Sequence, residues 1–350
     1  MDVRPEELAR RAQLQVTIGG HDATSYIEPY LTSFTFSDQA EGKSDEIQIE
    51  LHDRDGKWRN GWLPSKGAKI TAAIRCLNWF GPGQSPALNC GSFTCDEVSY
   101  SGPPDKVSIK GVSASLTGPL RETERTQGWE AFSLEGVAGD IAGRNGLSLF
   151  YDAGAHAFDR QDQRGESDLA FLTRLAEERG VSVKVRDDQL ILYGARDADA
   201  RPAGLTFQRS GEGFATVSEY DFKEKSEGTG FTACEVQYHD PATGETHTAT
   251  YNPSGKPLDE ETTIKPLVMD RRIESEAAAM ELARNSLRGQ NGGECAGSFT
   301  IMGHPGLVAG MTVSMSGFGR FDGAYFVTKA DHKLGGKYTT SAEIRRVMGY

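Results

Sequence analysis

A run of two-residue alternation fills the first third of the chain and sets its fold class. Leu14, Val16 and Ile18 alternate before Gly19-Gly20. Phe34 and Phe36 follow, then Ile47, Ile49 and Leu51, then Ile70, Ala72 and Ile74. Phe93 and Cys95 continue the pattern, Val98 follows after a shift of phase, and Val107 and Ile109 close it. Successive side chains on a strand point to opposite faces, so these stretches are half-buried strands. Asp55-Gly56, Gly81-Pro82-Gly83 and Gly102-Pro103-Pro104 are turn signals between them. Many short strands with spaced turns imply a closed barrel or a sandwich. The 41 glycines in 350 residues fit such a turn-rich chain.

The period changes in the middle third. Ser133 is placed to cap a helix carrying Leu134, Val137, Ala138 and Ile141, ending near Asn145-Gly146. A second helix is clearer. Ser167 caps it, Asp168 suits its positive end, Leu169, Phe171, Leu172, Leu175 and Ala176 form an apolar stripe, and Gly180 stops it. Residues 181–185 and 190–193 flank Asp187-Asp188 as a hairpin containing Leu190. Strands return at 299–301, 311–315, 325–329 and 338–344 after one helix, which runs from Ser275 past Ala279, Met280, Ala283 and Leu287 to Gly289. Gly67-Ala68-Lys69-Ile70 and Gly91-Ser92-Phe93 are echoed by Gly310-Met311-Thr312-Val313 and Gly323-Ala324-Tyr325. The echo points to two copies of one β unit, although Gly-x-aromatic strands are common.

Composition narrows the function. The net charge of −12 argues against wrapping nucleic acid by phosphate neutralisation and against docking on an anionic membrane. The start, MDVRPEELARRAQ, has no apolar secretory core, and no stretch reaches the ~18 apolar residues of a membrane span. The five cysteines are odd in number and form no CxxC pair, which suits reduced, packed thiols. Catalytic patterns are missing too: there is no GxSxG elbow and no Walker A loop. His239 and His247 flank a turn without a third ligand, and Asp53-x-Asp55 has Pro64 where a calcium loop needs its closing Glu. No catalytic, cofactor-binding or metal residue is therefore assigned, and no cofactor is expected. Trp58, Trp62, Trp79 and Trp129 could stack on sugars, but core packing is the simpler role.

The run Ser167-Asp168-Leu169-Ala170-Phe171-Leu172-Thr173-Arg174-Leu175-Ala176, with Gly180 and then Asp188-Gln189-Leu190, resembles a signature of phage tail hub proteins of the late control gene D family, which is related to the hub part of type VI secretion spike proteins. Gly91 and Phe93 resemble that family's first barrel. Gly303, Pro305, Gly310, Asp322, Gly323, Tyr325 and His332 resemble its last.

The resemblance implies a β-rich α+β chain with two related β-barrel domains and an α/β unit between them. The expected bounds are 1–120 for the first barrel, 121–200 for the α/β unit, and 201–350 for the second barrel, with a helical excursion near 275–289. It implies a non-enzymatic hub at the base of a contractile tail: a homotrimer fitting the sixfold tail tube protein to a threefold spike protein, beside other baseplate proteins. The spike would be a separate polypeptide. The site would be the host cytoplasm during assembly and the tail tip or baseplate afterwards. Stable nucleic-acid binding and membrane insertion are not expected, and the acidic excess could line the channel. A glycan- or receptor-binding module and a cell-wall-degrading tail enzyme are the alternatives. Phe34 and Phe36 are the first candidates for edge residues covered by a neighbouring subunit.

Overall fold

The alternating stretches do form strands, and they belong to one sheet of thirteen strands. The computed structural model describes residues 9–40, 44–113, 119–186, 188–225, 230–239, 244–254, 267–270 and 275–349. Within the large sheet, two sets of six strands share one connectivity. The first set is Arg11–Ile18, Leu31–Gln39, Glu46–His52, Lys69–Leu77, Ala87–Ser101 and Lys106–Ser113. The second is Leu205–Gln208, Val217–Glu224, Cys295–Met302, Thr312–Ser316, Gly323–Gly335 and Lys337–Arg346. In each, the strands pair in the order second, third, sixth, fifth, fourth, first, but the first strand is antiparallel to the fourth in the first set and parallel to it in the second.

The equivalence extends to single residues. Ile70 pairs with Phe93 as Val313 pairs with Tyr325. The fifth and sixth strands slip register between Cys95 and Glu97 in one set and between Val327 and Lys329 in the other. The second and third slip between Leu31 and Ser33, and between Val217 and Glu219. Gly67 N donates to Cys95 O and Gly310 N to Val327 O, both at 2.8 Å, and Gly67 and Gly310 have φ +84 and +88. One size exchange marks the divergence. Gly111 pairs with Ile47, whereas the equivalent pair is Ile344 with Gly297. Each repeat keeps one large and one absent side chain at that place.

Each repeat wraps its own apolar core, around Phe36, Ile49 and Phe93 in the first and Phe299, Val313 and Tyr325 in the second. Neither closes by hydrogen bonding, which corrects the expectation of closed barrels. The path stays open because the fifth strand of the second repeat pairs with the second strand of the first, His332 opposite Phe36. Leu14 of the first strand shares a core with Leu334 and Tyr338 through side chains, not through a ladder.

Two units are inserted. Between the repeats lie the helices Leu134–Arg144 and Asp168–Glu178, the sheet of Ser148–Asp152, Gln189–Gly194 and Val181–Arg186, and a ribbon of Glu124–Ser133 with Ala157–Ser167. The second insertion joins the second and third strands of the second repeat. It packs the helix Glu276–Asn291 on a sheet of Cys234–His239, Thr246–Tyr251 and Leu267–Asp270. The sequence indicated the helix, which runs past Gly289 to Asn291, but not this sheet or the ribbon.

A Cβ at Gly111 would lie 2.9 Å from Ile47 Cγ1 and 3.1 Å from Phe93 Cβ. Gly111→Ala is therefore expected to cost about 1–3 kcal/mol in urea unfolding. Adding Ile47→Ala should cost less than the sum of the two single changes by ~1 kcal/mol, because the pair shares one space.

Candidate functional site

The family-like helix motif is a packing device. Ser167 Oγ accepts from Ala170 N at 3.3 Å, capping the helix that Asp168 opens. Asp168 is fully buried. It meets Arg144 Nε at 2.9 Å and Arg125 Nε at 3.4 Å, and accepts from Asn145 Nδ2 and Gln163 Nε2 at 3.2 and 3.0 Å. A buried carboxylate needs such compensation, and these partners tie together both helices and the ribbon. Phe171, Leu172 and Leu175 fill the core beneath, and Leu190 lies on the facing strand. Gly180 has φ +63. A Cβ there would lie 2.5 Å from Asn285 Oδ1, so the glycine also admits the Glu276–Asn291 helix. The sequence indicated only its role as a helix stop.

The second group surrounds His332, which is fully buried. Its Nε2 lies 3.0 Å from Leu307 O, and a carbonyl only accepts, so that nitrogen carries the proton. Nδ1 accepts from Tyr338 Oη at 2.8 Å. Burial pushes the imidazole down from 6.5 to about 4, so it is neutral at pH 7. Gly303 lies under the Tyr338 ring, where a Cβ would come within 2.2 Å, and its carbonyl accepts from Trp79 Nε1 at 2.6 Å. Pro305 is buried in the loop that follows. Gly310 closes that loop, Gly91 and Gly323 take φ +100 and +137 at their strands, and Phe93 and Tyr325 are core. Asp322 Oδ1 accepts from Phe318 N at 2.6 Å.

A third cluster has no local signature in the sequence. Asp38, fully buried beside the Phe36–His332 pair, accepts from Lys184 Nζ at 2.7 Å and from Ala309 N at 2.9 Å. Lys184 also lies 3.8 Å from Asp45, whose carboxyl is pushed up to about 6 by burial. The ammonium thus joins the α/β unit to the first repeat, and Asp38 carries the link on to the second through the Ala309 amide. Lys184 and Asp38 are 146 residues apart, so no local pattern could have paired them.

Phe34 and Phe36 are not edge residues. Both are fully buried on a strand paired on both sides. Trp58 and Trp79 are buried, and Trp129 stacks on Phe171 at 6.1 Å. Trp62 is exposed, edge-on to exposed Tyr26. Asp53 serves as a cap, accepting from Trp58 N and Arg59 N at 3.0 and 3.2 Å. His247 lies opposite Tyr238 on paired strands. Among the described residues, no three His, Cys, Asp or Glu side chains converge as metal ligands, and no helix is long and apolar enough to cross a membrane. The five cysteines are buried and unbridged.

This geometry binds the chain to itself. The family model for the phage tail baseplate hub (GPD) matches residues 109–337. The chain belongs to the phage tail baseplate hub family. Among its relatives is a probable baseplate hub protein of Escherichia phage 186, 28% identical over 94% of this hub and 91% of the relative. A solved tail protein from Neisseria meningitidis MC58 superposes with a TM-score of 0.71 at 15% identity, covering 96% of each chain. An E. coli component of the type VI secretion system, described as structurally similar to the T4 tail proteins gp27 and gp5, superposes at 0.53 with 10% identity, covering 97% of this hub and 77% of that chain.

Two measurements check the hub's internal ties. Lys184→Met removes the ammonium that meets both buried carboxyls and should cost about 3–5 kcal/mol in denaturant unfolding, more than an exposed pair is worth. The fold holds His332 neutral, while the unfolded chain takes up a proton below 6.5. Its contribution is therefore complete above 6.5 and is lost as the pH falls toward 4. Asp45 acts oppositely between 6 and 3.8. The test is the difference between wild type and His332→Gln, which should shrink by about 2–3 kcal/mol from pH 7 to pH 4.5.

Proposed function

We propose that this hub is a non-enzymatic adaptor whose copies assemble as a ring of three, with the tail tube on one face and the spike on the other. The observation that carries this reading is the duplicated six-strand unit. Three chains with two such units each offer six similar surfaces to a sixfold tube, while each chain's single α/β unit leaves three for a threefold spike. Closed cyclic symmetry with head-to-tail contacts can build such a ring. In this reading each repeat is a barrel whose seam is closed by side chains, residues 121–200 form the α/β unit, and 1–120 and 201–350 form the two barrel domains. Assembly in the host cytoplasm would precede incorporation at the tail tip. The acidic excess would keep DNA from adhering to the channel wall.

A glycan-binding role would rest on Trp62 and Tyr26, the exposed pair. An array of cell-wall and surface glycans that retains the wild type but not Trp62→Ala would favour it, and a zymogram clearing would favour an enzyme.

Light scattering of the purified hub, alone and with its spike, is the direct test. Three hub chains per complex are expected. A stable complex with one or two hub chains would overturn the adaptor reading.

A further inference from the structure

From their second to their sixth strands the two repeats match in register, yet they differ sharply in what covers them. In the second repeat, residues 329–334 of the fifth strand pair with residues 39–34 of the first repeat's second strand. The equivalent stretch of the first repeat, residues 97–101 of its fifth strand and Gly102 in the turn that follows, has no strand on that side among the described residues. Its residues are exposed except half-buried Val98, while Ala330, His332 and Leu334 are buried. Among the described residues the second repeat's own second strand is likewise paired on one side only, through Cys295–Met302. Phe34 and Phe36 are fully buried, but their equivalents are Tyr220, 47% exposed, and half-buried Phe222. Tyr100, the equivalent of His332, is 41% exposed.

Each chain therefore carries both halves of the junction that it already forms once internally. We infer that residues 220–225 of one copy pair antiparallel with residues 102–97 of the next, repeating the internal junction between copies. The register follows from the internal one. His332 opposite Phe36 becomes Tyr100 opposite Phe222, and Leu334 opposite Phe34 becomes Gly102 opposite Tyr220. Lys329 opposite Gln39 becomes Glu97 opposite Lys225, an opposite-charge pair across the strands. The internal pair already places rings together, with Phe36 and His332 stacked at 6.0 Å. Gly102 leaves space beside Tyr220, whose ring packs edge-on to Phe318 at 5.0 Å. The two edges are different surfaces, so the contact is head-to-tail, and it removes two open edges at once. That the ring closes at three copies rests on the adaptor reading; the strand pairing and its register do not.

Asp331 lies opposite Ser37, whose Oγ donates to its Oδ1 at 2.5 Å. The equivalent positions are Ser99 and Lys223. A variant carrying both Ser99→Cys and Lys223→Cys, mildly oxidised at high protein concentration, is expected to cross-link between chains into a ladder ending at three. Neither single variant should cross-link. Tyr220→Asp should weaken assembly tenfold or more, because it buries a charge at the contact, and lower the melting temperature of the monomer only slightly, through the lost ring contact with Phe318. An assembly of three that neither cross-links nor responds to Tyr220→Asp would overturn the edge pairing and leave the adaptor reading intact. Cross-linked open chains of other lengths would uphold the pairing and overturn the count of three. A wild type that stays monomeric with and without its spike would overturn both.

Discussion

The antiparallel pairing of residues 34–39 with 329–334 is the contact on which the rest of the structure depends. It fuses two similar six-strand units into one sheet, and the other long-range ties gather around it. His332 stacks on Phe36 and reaches the Leu307 carbonyl. Asp38, next along the same face, receives the Ala309 amide and the Lys184 ammonium. The loop after Gly303, the α/β unit and both repeats thus share a few buried polar contacts. Such contacts are individually modest, but breaking one leaves a buried charge or donor unpaired.

The burial contrast between the repeats follows from the same contact. Equivalent strand halves differ because one copy of each edge is used inside the chain and the other is not. Composition agrees: where the strand is covered, its inward positions are Phe34, Phe36 and His332; where it is open, they are Tyr220, Phe222 and Tyr100, two of them tyrosines with a polar tip. The insertions sit where they leave this arrangement intact. The short link between Leu31–Gln39 and Glu46–His52 is replaced in the second repeat by a sheet and a helix with their own core.

Local physics decided what could be read from the sequence. The Asp168–Glu178 helix was legible because its cap, stripe and stop lie within fourteen consecutive residues, 167–180. The duplication was legible at Gly67 and Gly310, and at Gly91 and Gly323, because positive φ demands glycine in both copies. Elsewhere the repeats drifted, as in the exchange of Gly111 and Ile47 for Ile344 and Gly297, which keeps the volume and erases the likeness. Alternation marked Phe34 and Phe36 as strand residues but could not say that partners far along the chain, Leu334 and His332, cover their edge. The sheet built on Cys234–His239 escaped for a similar reason. Its strands are short, Cys234–His239 and Thr246–Tyr251 are rich in polar residues, and one pairing runs parallel from Cys234 to Leu267 across the intervening chain. The links from Lys184 to Asp38 and from Gly180 to Asn285 are also products of tertiary approach.

Amide hydrogen exchange on the hub, followed peptide by peptide, tests the central junction most directly. Strands buried on both sides open only with the whole fold, whereas one-sided edges open locally. In the monomer, amides of residues 34–39 and 329–334 should exchange together at the slowest rate, while 97–101 and 220–224 exchange faster. Fast local exchange of 329–334, with 97–101 equally protected, would contradict a chain organised around that pairing.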